Sequence, residues 1–309
     1  MSTSHPTPGM VEITYEDYLR FIEKHREVTI ENVKVKLRGE WRISSFTPPN
    51  EYFLERETVW SFPDRGCWAT HIGDYRGNWS PYIPRNLILK YTLRGDWVLD
   101  QMVGGGTTLV ECKLLGRNAV GVDVNRDAVM VARDRLNFSY NPSDGDYPEP
   151  TIKTYLGDAR NLDRIEDESI DLIATHPPYA KIIPYTKSNV EGDLSNLPLH
   201  QYLGEMRRVA GESMRVLKEG KHCAILIGDT RRRRHYVPIA FMVMQQFLDA
   251  GFILKEDIIK RQWKMKTTRE RWRGRSYDFY LIAHEHLFIF RKPGKDDKPQ
   301  RYKYSSKWW

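Results

Sequence analysis

The sequence predicts an α/β fold built on a doubly wound, mostly parallel sheet, and three observations predict it. Short apolar runs alternate with amphipathic helical periods from Trp97 to Ala250. The glycines Gly104, Gly105 and Gly106 lie between an apolar run and a helical one, where a tight turn needs residues without a Cβ. Acids stand at or just beyond the ends of three successive apolar runs, at Asp100, Asp123 and Asp158. A strand, glycine turn, helix, strand and terminal acid together form the arrangement that holds a nucleoside.

Taken in order, Ser2–Gly9 reads as a tail. Thr14–Arg26 carries Tyr15, Tyr18, Leu19 and Ile22 at a helical period, with acids near its start. Thr29–Leu37 alternates loosely as a strand, and Phe46–Asn50 is a proline-bearing loop. Pro84 opens a helix running to Tyr91. Trp97–Leu99 is a buried strand, Thr107 and Thr108 can cap a helix that runs through Leu115 and stops at Gly116, and Ala119–Val122 is the next strand. A helix over Arg126–Phe138 and a turn-rich loop over Asn141–Glu149 lead to strands Ile152–Leu156 and Ile170–Ala174. Gln201–Leu217 is an amphipathic helix, and Lys218–Gly220 turns into strand His222–Ile227. Val237–Phe247 is a helix, and Gly251–Ile259 and His284–Arg291 are the last strands. This divides the chain into an N-terminal extension (1–60), a catalytic domain (61–292) with a basic insertion at 260–280, and a basic aromatic tail (293–309).

The composition narrows the class. The chain has 309 residues, 40% of them hydrophobic and 12% aromatic, enough for a single large core. No apolar run approaches the ~18 residues that cross a bilayer. Met1–Met10 is polar and has no signal-peptide core, so a cytoplasmic protein without membrane association is expected. Cys67, Cys112 and Cys223 show no C-x-x-C spacing, which indicates neither disulfides nor a zinc site and leaves buried free thiols as the expectation. The net charge of +7 is concentrated. Lys260–Arg275 alone sets eight cations against Glu270, and Arg231–Arg234 is a run of four. Local basicity of this kind suits a polyanionic partner.

The glycines follow neither a G-x-G-x-x-G nor a Walker pattern, so a phosphate cradle is not expected. Residues 100–108 and 115–123 instead resemble the S-adenosylmethionine motif of the DNA amino-methyltransferases, written D-P-F-x-G-S-G-T-T and then L-G-R-x-x-x-G-x-D. Gln101 stands in place of the proline and Met102 in place of the aromatic, while the acid, glycine and threonine positions match. The resemblance implies a Rossmann-like fold with S-adenosylmethionine as cofactor. It also implies cofactor-binding roles for Asp100, Gly104, Gly106, Thr107, Thr108 and Asp123, with Asp123 on the ribose hydroxyls. Asp158 would meet the adenine amino group, and Gly77–Ile88 would pack at the methionine end.

Thr175-His176-Pro177-Pro178-Tyr179 is similar to the Asp/Asn/Ser-Pro-Pro-aromatic motif of adenine-N6 and cytosine-N4 enzymes, with His176 departing at the first position. An exocyclic amine is a poor nucleophile because its lone pair is delocalised into the ring. Acceptors on both of its hydrogens, one a side chain and one a proline carbonyl, favour a pyramidal nitrogen. A neutral imidazole nitrogen of His176 can be the first acceptor, and Tyr179 offers a face for stacking on a flipped base. The expected catalytic set is therefore His176, Pro177, Pro178 and Tyr179, with no metal, since a sulfonium leaving group is already activated. Arg231, Arg232, Arg233, Lys264, Lys266, Arg269, Arg271 and Arg273 are the expected contacts to duplex DNA, with Trp263 and Trp272 interleaved.

The resemblance covers about Ser61 to Lys292, in the gamma-type order of cofactor half before Pro-Pro-Tyr half. His284–Phe290 resembles the late strand motif behind the target-base pocket. Ser typifies the cytosine enzymes at the first motif position, and its absence tilts the reading to adenine N6 while cytosine N4 stays open. Restriction-modification would supply a cognate endonuclease as a further partner. Cytosine-C5 chemistry fails, because it needs a Pro-Cys thiolate and the three cysteines follow Gly66, Glu111 and His222. RNA guanine-N2 methylation and a non-catalytic nucleic-acid-binding module are the alternatives.

Overall fold

Side chains alternate direction along a strand, so an apolar run can feed two cores at once. The computed structural model describes residues 9–30, 32–49, 51–75, 77–140, 148–179, 192–263 and 278–306. In chain order the elements are β1 (Val11–Glu12), α1 (Tyr15–Lys24), β2 (Glu27–Ile30), β3 (Val33–Lys36), β4 (Val59–Ser61) and α2 (Tyr82–Tyr91). They continue with β5 (Trp97–Asp100), α3 (Thr107–Leu115), β6 (Asn118–Asp123), α4 (Arg126–Leu136), β7 (Ile152–Leu156) and β8 (Ile170–Thr175). After these come α5 (Leu199–Val216), β9 (Leu217–Ile227), β10 (Thr230–Arg232), β11 (His235–Val237), α6 (Ile239–Asp249), β12 (Ile253–Arg261) and β13 (His284–Arg291).

Among the described residues, nine strands form one sheet in the order β1-β7-β6-β5-β8-β9-β13-β12-β4. Neighbours from β7 to β9 run parallel, while β13 is antiparallel to both β9 and β12. Leu99, Ile173, Ile225 and Phe288 face one core, shared with Tyr202 and Met206 of α5 and Phe247 of α6. Their neighbours Val98, Leu172, Leu226 and Leu287 face the other, with Ile83 and Leu87 of α2 and Leu109 of α3. Both faces are covered, as a doubly wound sheet requires. The chain steps outward from β5 through β6 to β7 and then returns to β8 on the other flank of β5. That reversal opens a crevice at the carboxyl ends of β5 and β8.

Several expectations need correction. Thr29–Leu37 does not form one strand: β2 and β3 pair as an antiparallel hairpin turning at Asn32, whose φ is +64°. Asn is among the residues that tolerate this left-handed conformation. The turn expected at Lys218–Gly220 lies inside β9, where the pairing with β8 slips between Leu217 and His222. Val237 closes the β10–β11 hairpin, and the next helix begins beyond Pro238. Cys67 is exposed rather than buried, unlike Cys112 and Cys223. The two outermost strands also come from early in the chain, with β1 beside β7 and β4 beside β12. They cap both edges of the sheet, which would otherwise present unpaired backbone groups. Helix α1 is held by a capping box in which Thr14 and Asp17 exchange backbone and side-chain bonds. No described helix is long and apolar enough to cross a membrane.

Candidate active site and nucleic-acid face

A cleft of about 820 Å³ lies over the crevice, with Asp100, Gly104, Asp123 and Asp158 on its wall beside His176 and Pro178. Asp100 ends β5 and is 3% exposed. It accepts hydrogen bonds from Thr108 Oγ1 at 2.5 Å, Thr175 Oγ1 at 2.9 Å and the Met102 amide at 3.3 Å. Asp100 thus pins the ends of β5 and β8 and the first turn of α3 to one another. Burial pushes its carboxyl up to about 6 against the pull of those bonds.

Asp123 ends β6 and accepts the Gly104 amide at 2.9 Å and the Asn125 amide at 2.9 Å. These bonds hold the glycine turn against the strand end and leave each oxygen with a further lone pair. Its carboxyl is likewise raised by burial to about 6, opposed by the two backbone bonds. Asp158 is clasped by Arg160, with Arg160 Nη2 at 2.5 Å from Oδ2, and Arg160 also reaches Glu205.

Gly106, Thr107 and Thr108 do not line the cleft. Gly106 has a φ of +79°, and a Cβ there would lie 2.9 Å from Ala132 Cα, so its bareness lets α4 pack close. Thr107 bonds the Asn78 side chain and Thr108 bonds Asp100. Both support the wall from behind. Gln101 does line the cleft, and its side chain is anchored behind it, with Oε1 accepting from Ser213 Oγ of α5 at 3.0 Å.

At the other end of the cleft, His176 stacks with Trp79 at 6.0 Å between ring centroids. The Tyr179 hydroxyl donates to Glu285 Oε1 at 2.8 Å and lies 2.8 Å from His176 Nε2. Glu285 is in turn paired with Lys260 at 2.8 Å. Burial alone would raise Glu285, but Lys260, His176 and the Tyr179 bond together draw it down to about 2. An ionised Glu285 can only accept, so the Tyr179 proton points to it and the phenol oxygen receives Nε2–H from His176. That leaves Nδ1 of the neutral ring as an acceptor. Burial lowers the His176 pKa against the opposing pull of Glu285 and the Gly77 backbone, and Nδ1 has no partner in hydrogen-bond geometry among the described residues. Gly228 makes room for Tyr179: a Cβ at 228 would sit 2.8 Å from the ring.

Lys260, expected within the DNA-contacting insertion, is instead paired with Glu285 inside the site, and Glu285, Arg160 and the cleft residues Gly192–Leu194 are not singled out by the sequence. They join the site from distant segments, and Glu285 stands 106 residues from Tyr179. The signal near Glu285 is the resemblance of His284–Phe290 to a late strand motif behind the target-base pocket, which gives Glu285 itself no role.

On the rim, β10 and β11 form a hairpin whose turn is Arg233 and Arg234, with φ of +49° and +72°. Arg232 and Arg233 are exposed. Arg231 is spent within the protein, donating to the carbonyls of Arg234 at 2.9 Å and Tyr280 at 2.8 Å and lying over the Phe279 ring. Lys264, Lys266, Arg269, Arg271 and Arg273 lie outside the described residues.

The sequence model of the DNA methylase family matches residues 11–134 and 170–309. Type II methyltransferase M2.DpnII of Streptococcus pneumoniae is 44% identical over 55 residues, which is 18% of this chain and 20% of that protein. M.HpaI of Haemophilus parainfluenzae, also a Type II methyltransferase, is 25% identical over 138 residues, 42% of this chain and 40% of that one. The chain thus spans at most two fifths of the length of these relatives. A SAM-dependent methyltransferase structure from Methanosarcina mazei aligns with TM-score 0.46 and 15% identity over 68% of this chain and 98% of that one. Haemonchus contortus phosphoethanolamine N-methyltransferase 2, in complex with S-adenosyl-L-methionine, aligns with TM-score 0.40 and 17% identity, covering 68% and 52%.

Proposed function

The chain belongs to the DNA methylase family, and on that premise we propose that it methylates an exocyclic amine of a base in duplex DNA, using S-adenosylmethionine. One observation carries the reading: a single cleft runs from Asp123 to His176 and Pro178, joining a nucleoside-type acid to an amine-type acceptor. The donor set suits this cofactor. Asp100, Asp123, Asp158 and Asp193 on the wall favour a ligand with hydroxyls, an amino group and a positive charge, and disfavour a phosphate. Asp123 would hold the ribose hydroxyls, Asp158 the adenine amino group, and Gly77, Asn78 and Trp79 the methionine end. When bound, S-adenosylmethionine supplies a methyl group on a sulfonium that leaves without metal assistance.

His176 Nδ1 and a proline carbonyl of the Pro177-Pro178 pair would each accept one hydrogen of the target amine. This localises the nitrogen lone pair and orients it toward the methyl carbon. Tyr179 would stack on the base once it has left the duplex, repaying part of the unstacking cost. Adenine N6 is the proposed target, because the motif lacks the first-position serine of the cytosine enzymes. Arg232 and Arg233 on the rim would contact phosphates, with the 260–280 segment as the second basic face of a catalytic domain over 61–292. A partnered restriction endonuclease rests on the family resemblance alone, and co-purification from cells encoding both tests it.

Incubating the chain with labelled S-adenosylmethionine and, in parallel, duplex DNA or RNA, followed by nucleoside mass spectrometry, tests the function. N6-methyladenine is expected. Label in RNA guanine instead, or in no nucleic acid, would overturn the reading, and N4-methylcytosine would overturn the choice of base.

A further inference from the structure

His284 and His286 stand two residues apart at the start of β13, so their side chains share a face of the strand, and Glu285 between them turns to the other. Across the sheet His286 pairs with Ile227, and Asp229 follows two residues later, where β9 gives way to the arginine hairpin. One nitrogen or carboxylate oxygen from each of Asp229, His284 and His286 lies within 4.8 Å of the other two.

The arrangement around His286 is specific. Its side chain is 6% exposed, and Nδ1 lies 3.0 Å from Asp257 Oδ1 on the neighbouring strand. The Asp257 carboxylate accepts the Nδ1 proton and so leaves the lone pair on Nε2. That Nε2 is buried without a hydrogen-bond partner among the described residues, 3.6 Å from Asp229 Oδ2. Asp229 is itself fixed, with Oδ1 accepting the Ala240 amide at 2.8 Å and Oδ2 accepting from the Tyr236 hydroxyl. A carboxylate behind one imidazole nitrogen and an open lone pair on the other is how metal-binding histidines are oriented.

We propose that Asp229, His284 and His286 bind one divalent transition-metal ion. Two imidazoles and one carboxylate form a donor set of the borderline class that zinc and its neighbours prefer. Metal–ligand bonds of ~2.0–2.2 Å would draw the three donors closer together, a small movement for the half-buried His284. Three protein ligands leave at least one position for water. The ion is given no part in methyl transfer: Glu285, the residue of β13 that reaches Tyr179, turns to the other face of the strand. Its effect is mechanical: it ties β13 to the turn after β9. Through Asp229 it also ties in the first turn of α6 at Ala240 and the hairpin strand at Tyr236. The arginine turn at 233–234 is then presented to solvent from a cross-linked base.

The test uses the full chain, stripped with a chelator and titrated with Zn²⁺ by calorimetry and with Co²⁺ by visible absorption. One saturable ion per chain is expected, with ligand-field bands from imidazole and carboxylate donors and a higher thermal midpoint with bound zinc. His284→Ala should abolish saturable uptake. Asp257→Asn preserves the shape of the site but releases the His286 ring, and it should weaken binding roughly 10–100-fold. No saturable uptake, or uptake unchanged in His284→Ala, would overturn the site. None of these readouts depends on methyl transfer, so the metal site and the proposed activity stand or fall separately.

Discussion

Asp123 and Glu285 mark the two ends of the site and titrate in opposite directions. Among the described residues Asp123 has only backbone amides as hydrogen-bond partners, and burial raises it to about 6. Glu285 is more completely paired, and Lys260 with its neighbours overcomes burial to hold it at about 2. A carboxylate with spare lone pairs and an unfavourable charge gains from a ligand that donates hydrogen bonds. One already satisfied by Lys260 and Tyr179 gains nothing from a ligand and serves to fix its neighbours. The cofactor end is therefore built to be completed, and the target end to be held in place.

The largest expected effect breaks the cofactor end alone. Asp123→Ala removes two charge-assisted bonds to ribose, each worth ~1.5–3 kcal/mol, so S-adenosylmethionine Kd should rise roughly 10²–10⁴-fold by calorimetry. An unchanged Kd in a folded variant would remove Asp123 from the ribose. At the other end, Tyr179→Ala should forfeit ~1–3 kcal/mol of base stacking, lowering methyl transfer roughly 10–100-fold. Its cofactor Kd should not move, and a parallel loss of both would merge the two ends.

A pH series sharpens the contrast. Asp123 is protonated below about 6 in the free protein, and only its ionised form accepts both hydroxyls with charge assistance. Cofactor affinity measured without DNA should therefore rise as pH increases through about 6, by at most about tenfold per pH unit, with proton release on binding below that value. Glu285 stays ionised throughout this window and contributes no slope. A flat affinity between pH 5 and 7 would contradict the ribose contact. The smallest effect concerns the rim. Replacing Arg232 and Arg233 with Ala should reduce the log–log salt dependence of DNA binding by about 0.9 for each phosphate that is no longer neutralised. An unaltered slope would mean that these arginines are merely solvated.

The cofactor end was far more legible in the sequence than the target end. Helix α3 does run to Leu115 and stop at Gly116, but its N-cap is Gly106, and Thr107 and Thr108 lie in its first turn instead of capping it; β5 and β6 lie where their apolar runs place them. A strand, a glycine turn and a helix in direct succession leave local signals of period and punctuation. Strands as short as Val11–Glu12 and Val59–Ser61 have no readable period, so the covering of the sheet edges was hidden. The β10–β11 turn was equally opaque, because Arg233-Arg234 lacks the Asn-Gly signature of such hairpins. Lys260 and Glu285 became site residues only when β12 and β13 paired in register. The sequence also could not separate Thr107 and Thr108 from the cleft wall, since a threonine behind the wall and one on it look alike.

Most direct is the S-adenosylmethionine Kd of His176→Phe, measured by calorimetry beside its transfer of methyl to duplex DNA. If His176 serves the target amine, Kd stays at the wild-type value while methyl transfer falls by roughly 10²–10³-fold, the usual cost of removing one positioned polar group from a reacting centre. A Kd raised as far as in Asp123→Ala, or methyl transfer left intact, would contradict the division of the cleft into a cofactor end and a target end.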